Sequence, residues 1–261
     1  MALGNGGCMH KIRTVLMVMF LSLILMFSGC DLLLQFLPDK GPDSVAGLDD
    51  IEWLKEGPVV STPENETTFY VVINNNEPSF SEDEYTTESF KKNDPLDSLG
   101  RVGTATSSMC RADMPTGERE SLDTNPTGWV QNRYDSALVE GGWIYNRAHL
   151  RGYQLMGDQD DKQNLMTGTR AFNVDGMLPF ENRTADHMKE YENHHIMYRV
   201  TPIFIDDDLL ARGVVMESDC IECDEEADYA VFVYNIQPGI TLDYRTGENW
   251  INGDPEIPSV F

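Results

Sequence analysis

Apolar positions along the chain fall into a few short runs, and their spacing predicts the elements. Val15 to Phe27 is a thirteen-residue run, apolar at every position but Ser22. Phe69-Tyr-Val-Val-Ile73 is β-branched and aromatic and ends in Asn74-Asn-Asn76, which predicts a strand closed by a turn. Ser136 to Val139 and Trp143 to Arg147, joined through Glu140-Gly-Gly142, read as two strands around a glycine turn. Ile196 to Ile205 alternates apolar and polar positions. Val214-Val215, Tyr229 to Ile236 and Thr241 to Tyr244 add further strands, the last closed by Arg245-Thr-Gly-Glu248. Asp206-Asp-Asp208 lies between two of these runs and reads as a hairpin turn. Helical spacing appears near Thr169 to Asp175 and again from Pro179 to Asn193, with Pro179 at a first helical position. Residues 77–135 mix turn signals with short runs and specify no element. The whole pattern is α+β, a central antiparallel sheet flanked by helices.

The apolar run has a basic flank at His10, Lys11 and Arg13 and ends in Phe27-Ser28-Gly29-Cys30. Thirteen residues are too few for a comfortable membrane span and suit the apolar region of an export signal. Small residues before Cys30 resemble the lipid-attachment site of bacterial lipoproteins, which would anchor the chain to a membrane through Cys30. Residues 31–65 are rich in Asp, Pro and Gly and read as a linker. The expected organisation is therefore a signal over 1–30, an acidic linker over 31–65 and one catalytic domain over 66–261. Its location would be the outer face of a bacterial membrane, or outside the cell.

Charge complicates the search for a partner. The chain carries 19 Lys and Arg against 44 Asp and Glu, a formal net charge of -25. Nucleic-acid binding is usually led by basic residues, so this excess argues against a simple electrostatic binder. It is uneven, however. Residues 39–100 hold 15 acidic and 4 basic side chains, whereas 100–183 hold 11 and 9, the basic ones mostly Arg. Five cysteines are present. Cys220 and Cys223 form a C-x-x-C in an acidic segment; alone it is half a zinc site at best, and a structural disulfide or idle thiols are the simpler reading. His194 and His195 are adjacent, which on a strand sends them to opposite faces, so with His187 they do not read as one metal site.

The chemistry concentrates in Tyr145-Asn-Arg-Ala-His149 with Leu150-Arg-Gly-Tyr153 after it, and in Asn164 through Glu181. Here the chain resembles the DNA/RNA non-specific endonucleases of the ββα-metal (His-Me finger) superfamily, in particular the streptococcal-type secreted and surface nucleases. Asn146 and Ala148 stand where that family's motif has Asp and Gly, while Arg147 and His149 match it. The likeness runs from about Tyr70 onward through Met114-Pro-Thr-Gly117, Tyr198-Arg-Val-Thr-Pro-Ile-Phe204 and Leu242-Asp-Tyr-Arg-Thr-Gly-Glu248. It implies a ββα-metal finger active site and hydrolysis of DNA, with RNA as a second substrate, leaving 5′-phosphate ends. His149 matches the general base, Asn173 the ligand of one Mg²⁺ (Mn²⁺ as the alternative), and Glu181 the carboxylate that orients metal-bound water. Asn164 matches the residue that positions base and substrate. Arg147 suits either the scissile phosphate or bracing of the loop, and Arg151 and Arg170 are candidate phosphate contacts. These residue types fit phosphodiester hydrolysis, which requires a proton acceptor near neutral pH and compensation of charge on the phosphate. A non-catalytic surface lipoprotein on the same fold, binding nucleic acid or another partner, is the alternative.

Overall fold

The computed structural model describes residues 60–61, 66–67, 69–223 and 227–252. The expected signal, Cys30 and nearly all of the linker lie outside them. Two short strands, β1 (Val60–Ser61) and β2 (Glu66–Thr67), pair with each other. The body of the fold is a six-stranded sheet in the order β3-β10-β9-β8-β5-β4, antiparallel at every junction. Its members are β3 (Tyr70–Val72), β4 (Phe90–Asn93), β5 (Ala105–Met109), β8 (Ile196–Ile203), β9 (Gly213–Cys220) and β10 (Tyr229–Tyr234). A separate hairpin pairs β6 (Tyr145–His149) with β7 (Leu165–Thr169), and β11 (Ile240–Leu242) pairs with β12 (Asn249–Ile251).

Alternation along β10 divides the core. Tyr229, Val231 and Val233 join the large cluster, while Phe232 and Tyr234 belong to a smaller one that includes Ile203. The large cluster is closed by a helix whose buried residues follow helical spacing: Met177, Phe180, Ala185 and Met188 pack with Ile196, Tyr198, Met216 and Tyr229. This helix follows β7 directly. Chain 170–190 is helical throughout, with a π-helical stretch (Phe172–Met177) leading into α2 (Leu178–Glu190). A four-residue helix, α1 (Tyr153–Met156), sits in the long β6–β7 connection.

Three sequence expectations change. Ser136 to Val139 forms turns, not a strand; the partner of β6 is β7, and of the expected hairpin only a single bridge, Arg133 to Trp143, remains beside it. The polar lead-in and two consecutive glycines with φ of 75° and 82° favour a turn there. The two expected helices are one. Pro179 sits inside the continuous helix, two residues after the π-helical stretch. Proline lacks the amide hydrogen and crowds the preceding turn; the wider i to i+5 turn accommodates it, and Leu178 N–H donates to the Asn173 carbonyl. The third change is smaller: Thr241 to Tyr244 shortens to Ile240–Leu242. By contrast, Asn74 to Asn76 turn as expected, with φ of 47°, 52° and 63°, a region that Asn tolerates.

Candidate active site

β6, β7 and the helix after them form a ββα unit, and the chemistry-bearing residues sit on it. His149 ends β6 opposite Leu165. The chain just beyond is tied to Asn164 by three hydrogen bonds. Leu150 N donates to the Asn164 carbonyl at 2.9 Å, Arg151 N donates to Asn164 Oδ1 at 2.9 Å, and Asn164 Nδ2 donates to the Arg151 carbonyl at 3.0 Å. Asn164 is fully buried, so these bonds are shielded from water and hold the chain just after His149 in one conformation. Gly168 lets the hairpin meet the helix: a Cβ there would stand 2.5 Å from the Phe172 ring and 3.0 Å from Ala148 Cβ.

His149 is only 5% exposed. Its Nε2 lies 2.8 Å from the Gln159 carbonyl, which can only accept, so Nε2 carries the proton and Nδ1 presents the lone pair. A backbone carbonyl therefore sets the tautomer here. Burial is the largest influence on the ring's pKa and lowers it. The Arg119 guanidinium lowers it further, against the Gln159 hydrogen bond and the charges of Asp158 and Asp160. The neutral, proton-accepting form is thus favoured. Arg119 Nη2 stands 3.5 Å from Nδ1, and its guanidinium lies 5.7 Å from the Tyr153 ring centroid.

Glu181 is partly buried, and removal from water pushes its carboxyl up to about 7; hydrogen bonding from Gln154 and the charge of Arg119 oppose this. Its carboxylate packs on the backbone just past His149, where a Cβ on Gly152 would fall 2.6 Å from Oε2. Asn173 lies in the π-helical stretch, eight positions before Glu181. In a regular α-helix that spacing leaves two side chains roughly 80° apart. The extra residue in the wide turn rotates them toward one side of the helix. The amide oxygen of Asn173 and the carboxylate of Glu181 are hard oxygen donors of the kind that suit Mg²⁺ or Mn²⁺. A half-buried carboxylate that Arg119 alone does not bring down to its ordinary pKa also fits a cation beside it.

Of the remaining arginines, one departs from expectation. Arg151 is not a surface phosphate contact: it is 1% exposed, its Nε is 2.6 Å from Asp158 Oδ2, and its Nη2 donates to Asn93 Oδ1. Arg147 braces the loop, donating to the Thr124 carbonyl at 2.6 Å and Asn125 Oδ1 at 2.7 Å and stacking on Trp129 at 4.8 Å. Arg170 pairs with the exposed Glu140 at 3.0 Å, on the surface beside the helix start. Arg119, in contrast, is exposed and reaches the His149 lone pair. It lies in the stretch where sequence patterning specified no element, two residues past Met114-Pro-Thr-Gly117.

Comparisons with known proteins identify the family. The family model described as "DNA/RNA non-specific endonuclease" matches residues 78–221, which take in β4 to β9 and every one of these site residues. A deoxyribonuclease of Streptococcus dysgalactiae subsp. equisimilis is 26% identical, aligned over 59% of this chain and 58% of that relative's length. Among solved structures, NucA from Streptococcus agalactiae with magnesium ion bound superposes with a TM-score of 0.61 at 24% identity, covering 69% of this chain and 86% of that one. Sda1 nuclease with bound zinc ion gives 0.56 at 22% identity, covering 69% and 94%. These two establish a shared fold. A family match over more than half of the sequence, on a ββα unit that carries its histidine at the end of the first strand, places this chain in the DNA/RNA non-specific endonuclease family.

Proposed function

We propose that this protein is an exported, metal-dependent nuclease that cleaves DNA without sequence specificity, with His149 as its general base. RNA is the second substrate. The observation that carries the reading is the His149 ring: enclosed, held neutral by burial, and oriented by the Gln159 carbonyl so that Nδ1 faces the exposed Arg119.

In this scheme Nδ1 takes the proton of the attacking water as its oxygen bonds to phosphorus, the bond to the 3′ oxygen breaks, and that oxygen takes a proton from solvent water. The products are a 5′-phosphate and a 3′-hydroxyl. Arg119 binds a non-bridging phosphate oxygen, which turns its guanidinium away from Nδ1 and leaves the base free. Asn173 and Glu181 would hold one divalent cation, Mg²⁺ or Mn²⁺, which supplies charge compensation at the phosphate and the departing oxygen. Asn164 acts through the backbone after His149 and so positions the base. Arg147 acts on the Thr124–Asn125 loop, Arg151 supports the β6–β7 connection through Asp158, and Arg170 lies ready for flanking phosphate. Export and lipid attachment at Cys30 remain part of the proposal on the sequence reading above; no helix among the described residues is long and apolar enough to cross a membrane.

The test is plasmid degradation by the full chain with and without Mg²⁺, beside His149→Ala. Mg²⁺-dependent loss of intact plasmid by the wild type, reduced on the order of 10²–10⁴-fold in the variant, is expected. No cleavage by the wild type with Mg²⁺ or Mn²⁺ would overturn it.

A further inference from the structure

Far along the same helix, a second cluster of metal-binding side chains assembles that nucleic-acid cleavage does not use. His187 lies in the last turn of α2 and is buried; His194 lies in the α2–β8 connection, Cys220 at the end of β9, and Cys223 in the β9–β10 connection. One donor atom from each falls within 4.8 Å of every other. His187 Nε2 is 3.1 Å from His194 Nδ1 and 3.5 Å from Cys220 Sγ. Cys220 Sγ is 3.7 Å from His194 Nδ1, and Cys223 Sγ is 3.6 Å from His187 Nε2. A tetrahedral zinc with Zn–S of about 2.3 Å and Zn–N of about 2.0–2.1 Å requires edges of roughly 3.3 Å between nitrogens and 3.5 Å between nitrogen and sulfur. The nitrogen–nitrogen and nitrogen–sulfur separations fall close to those edges, whereas the two sulfurs, 2.04 Å apart, would have to part to about 3.8 Å.

We propose that, with both cysteines as thiols, these four side chains bind one structural Zn²⁺ in a Cys₂His₂ site. Cys220 and Cys223 are joined as a disulfide in the structure, so the two states exclude one another. Opening the bridge consumes two equivalents of a thiol reductant, which leaves as its own disulfide. Binding Zn²⁺ then releases the two thiol protons. The surroundings are already arranged for a closed site. The Tyr191 ring stacks on His194 at 4.8 Å and 9° and lies 4.7 Å from His187, fixing both imidazoles. Cys220 N donates to Asp228 Oδ1 at 2.9 Å, and Ile221 N donates to the His195 carbonyl at 2.9 Å, which holds the β9 end against the loop that carries His194. His195 itself turns away to Glu222, 2.7 Å from its Nδ1. The four ligands leave no open position for water, so the ion would staple the end of α2 to the sheet and take no part in cleavage. The fully protein-bound donor set with two thiolates also selects zinc over Mg²⁺ or Mn²⁺.

The experiment is metal analysis of the full chain, reduced with a thiol, loaded with Zn²⁺ and desalted, with the same preparation repeated using Co²⁺. Expected are one zinc retained per chain and a cobalt spectrum with a thiolate charge-transfer band and tetrahedral ligand-field bands. Zinc should be lost in Cys220→Ser/Cys223→Ser and in His194→Ala, and kept in Asn173→Ala. The cobalt spectrum reads the ligands in the wild type itself, so it decides the matter even where a cysteine variant fails to fold. Wild-type protein with two titratable thiols freed by reduction that retains no zinc, or zinc lost in Asn173→Ala but kept in His194→Ala, would overturn the proposal.

Discussion

The His149 Nδ1 lone pair faces one cationic side chain, Arg119. Arg119 is the group that sequence patterning passed over, because an arginine in a turn-rich segment carries no periodicity. Only the fold brings it to His149 Nδ1. If it binds the phosphate, Arg119→Ala should lower cleavage on the order of 10²–10³-fold. Arg119→Lys should recover only part of that, since a lysine cannot donate in a planar fork; full activity in Arg119→Ala would remove it from the mechanism. Glu181 makes a separate prediction about stability. Its folded pKa, about 7, lies above the ordinary 4.5. The unfolded chain therefore ionises first. The contribution of this group to stability is present below about 4.5, declines as pH rises toward 7, and stays lost above it. In chelator, wild-type melting temperature should fall relative to Glu181→Gln as pH rises through that window. Parallel curves for the two proteins would mean that burial does not govern this carboxyl. His149 has the opposite sign: its lowered pKa makes its contribution complete above about 6.5 and lost as pH falls.

At the element scale, the ββα unit depends on close approach. A Cβ on Gly168 would meet Phe172 and Ala148, both in the large core cluster, so Gly168→Ala must push the hairpin off the helix. Overpacking of that kind costs about 1–3 kcal/mol. It should appear as a lower denaturant midpoint together with reduced activity; an unchanged midpoint would show that the hairpin and helix yield without strain. The strands legible in sequence were β8, through its alternation, and β10, through its unbroken apolar run, mostly β-branched and aromatic. β6 was legible as a strand, but its partner was misplaced, because Leu165-Met-Thr-Gly-Thr169 shows no alternation and holds a glycine where β10 has a continuous apolar run. The helix boundary failed at Pro179 for a physical reason: proline marks a helix start only while regular α geometry is assumed, and the π-helical turn relaxes that rule.

The whole molecule is an acidic protein proposed to work on a polyanion. With a net charge of -25, few basic groups can neutralise phosphates at once. Two or three such contacts give a slope of log affinity against log salt of roughly −2 to −3. DNA binding by His149→Ala, measured across monovalent salt, should show that shallow dependence; a much steeper slope would indicate a basic surface that this account lacks. Of the proposed site, His149, Asn164, Asn173 and Glu181 could be singled out in sequence through the family resemblance, since all lie within one contiguous stretch that folds as the ββα unit. The Cys₂His₂ cluster was not, because its halves belong to elements joined only by the fold, and each half alone has a simpler explanation.

The claim on which the rest depends is that His149 Nδ1 accepts the proton of the attacking water. Chemical rescue measures it directly: Mg²⁺-dependent DNA hydrolysis by wild type and His149→Ala, with added imidazole, across pH. The variant should lose activity on the order of 10²–10⁴-fold. Imidazole should then restore part of it, in proportion to its neutral fraction, while leaving the wild type unchanged. A folded variant that cleaves as fast as the wild type, or one that imidazole does not rescue at any pH, would contradict it.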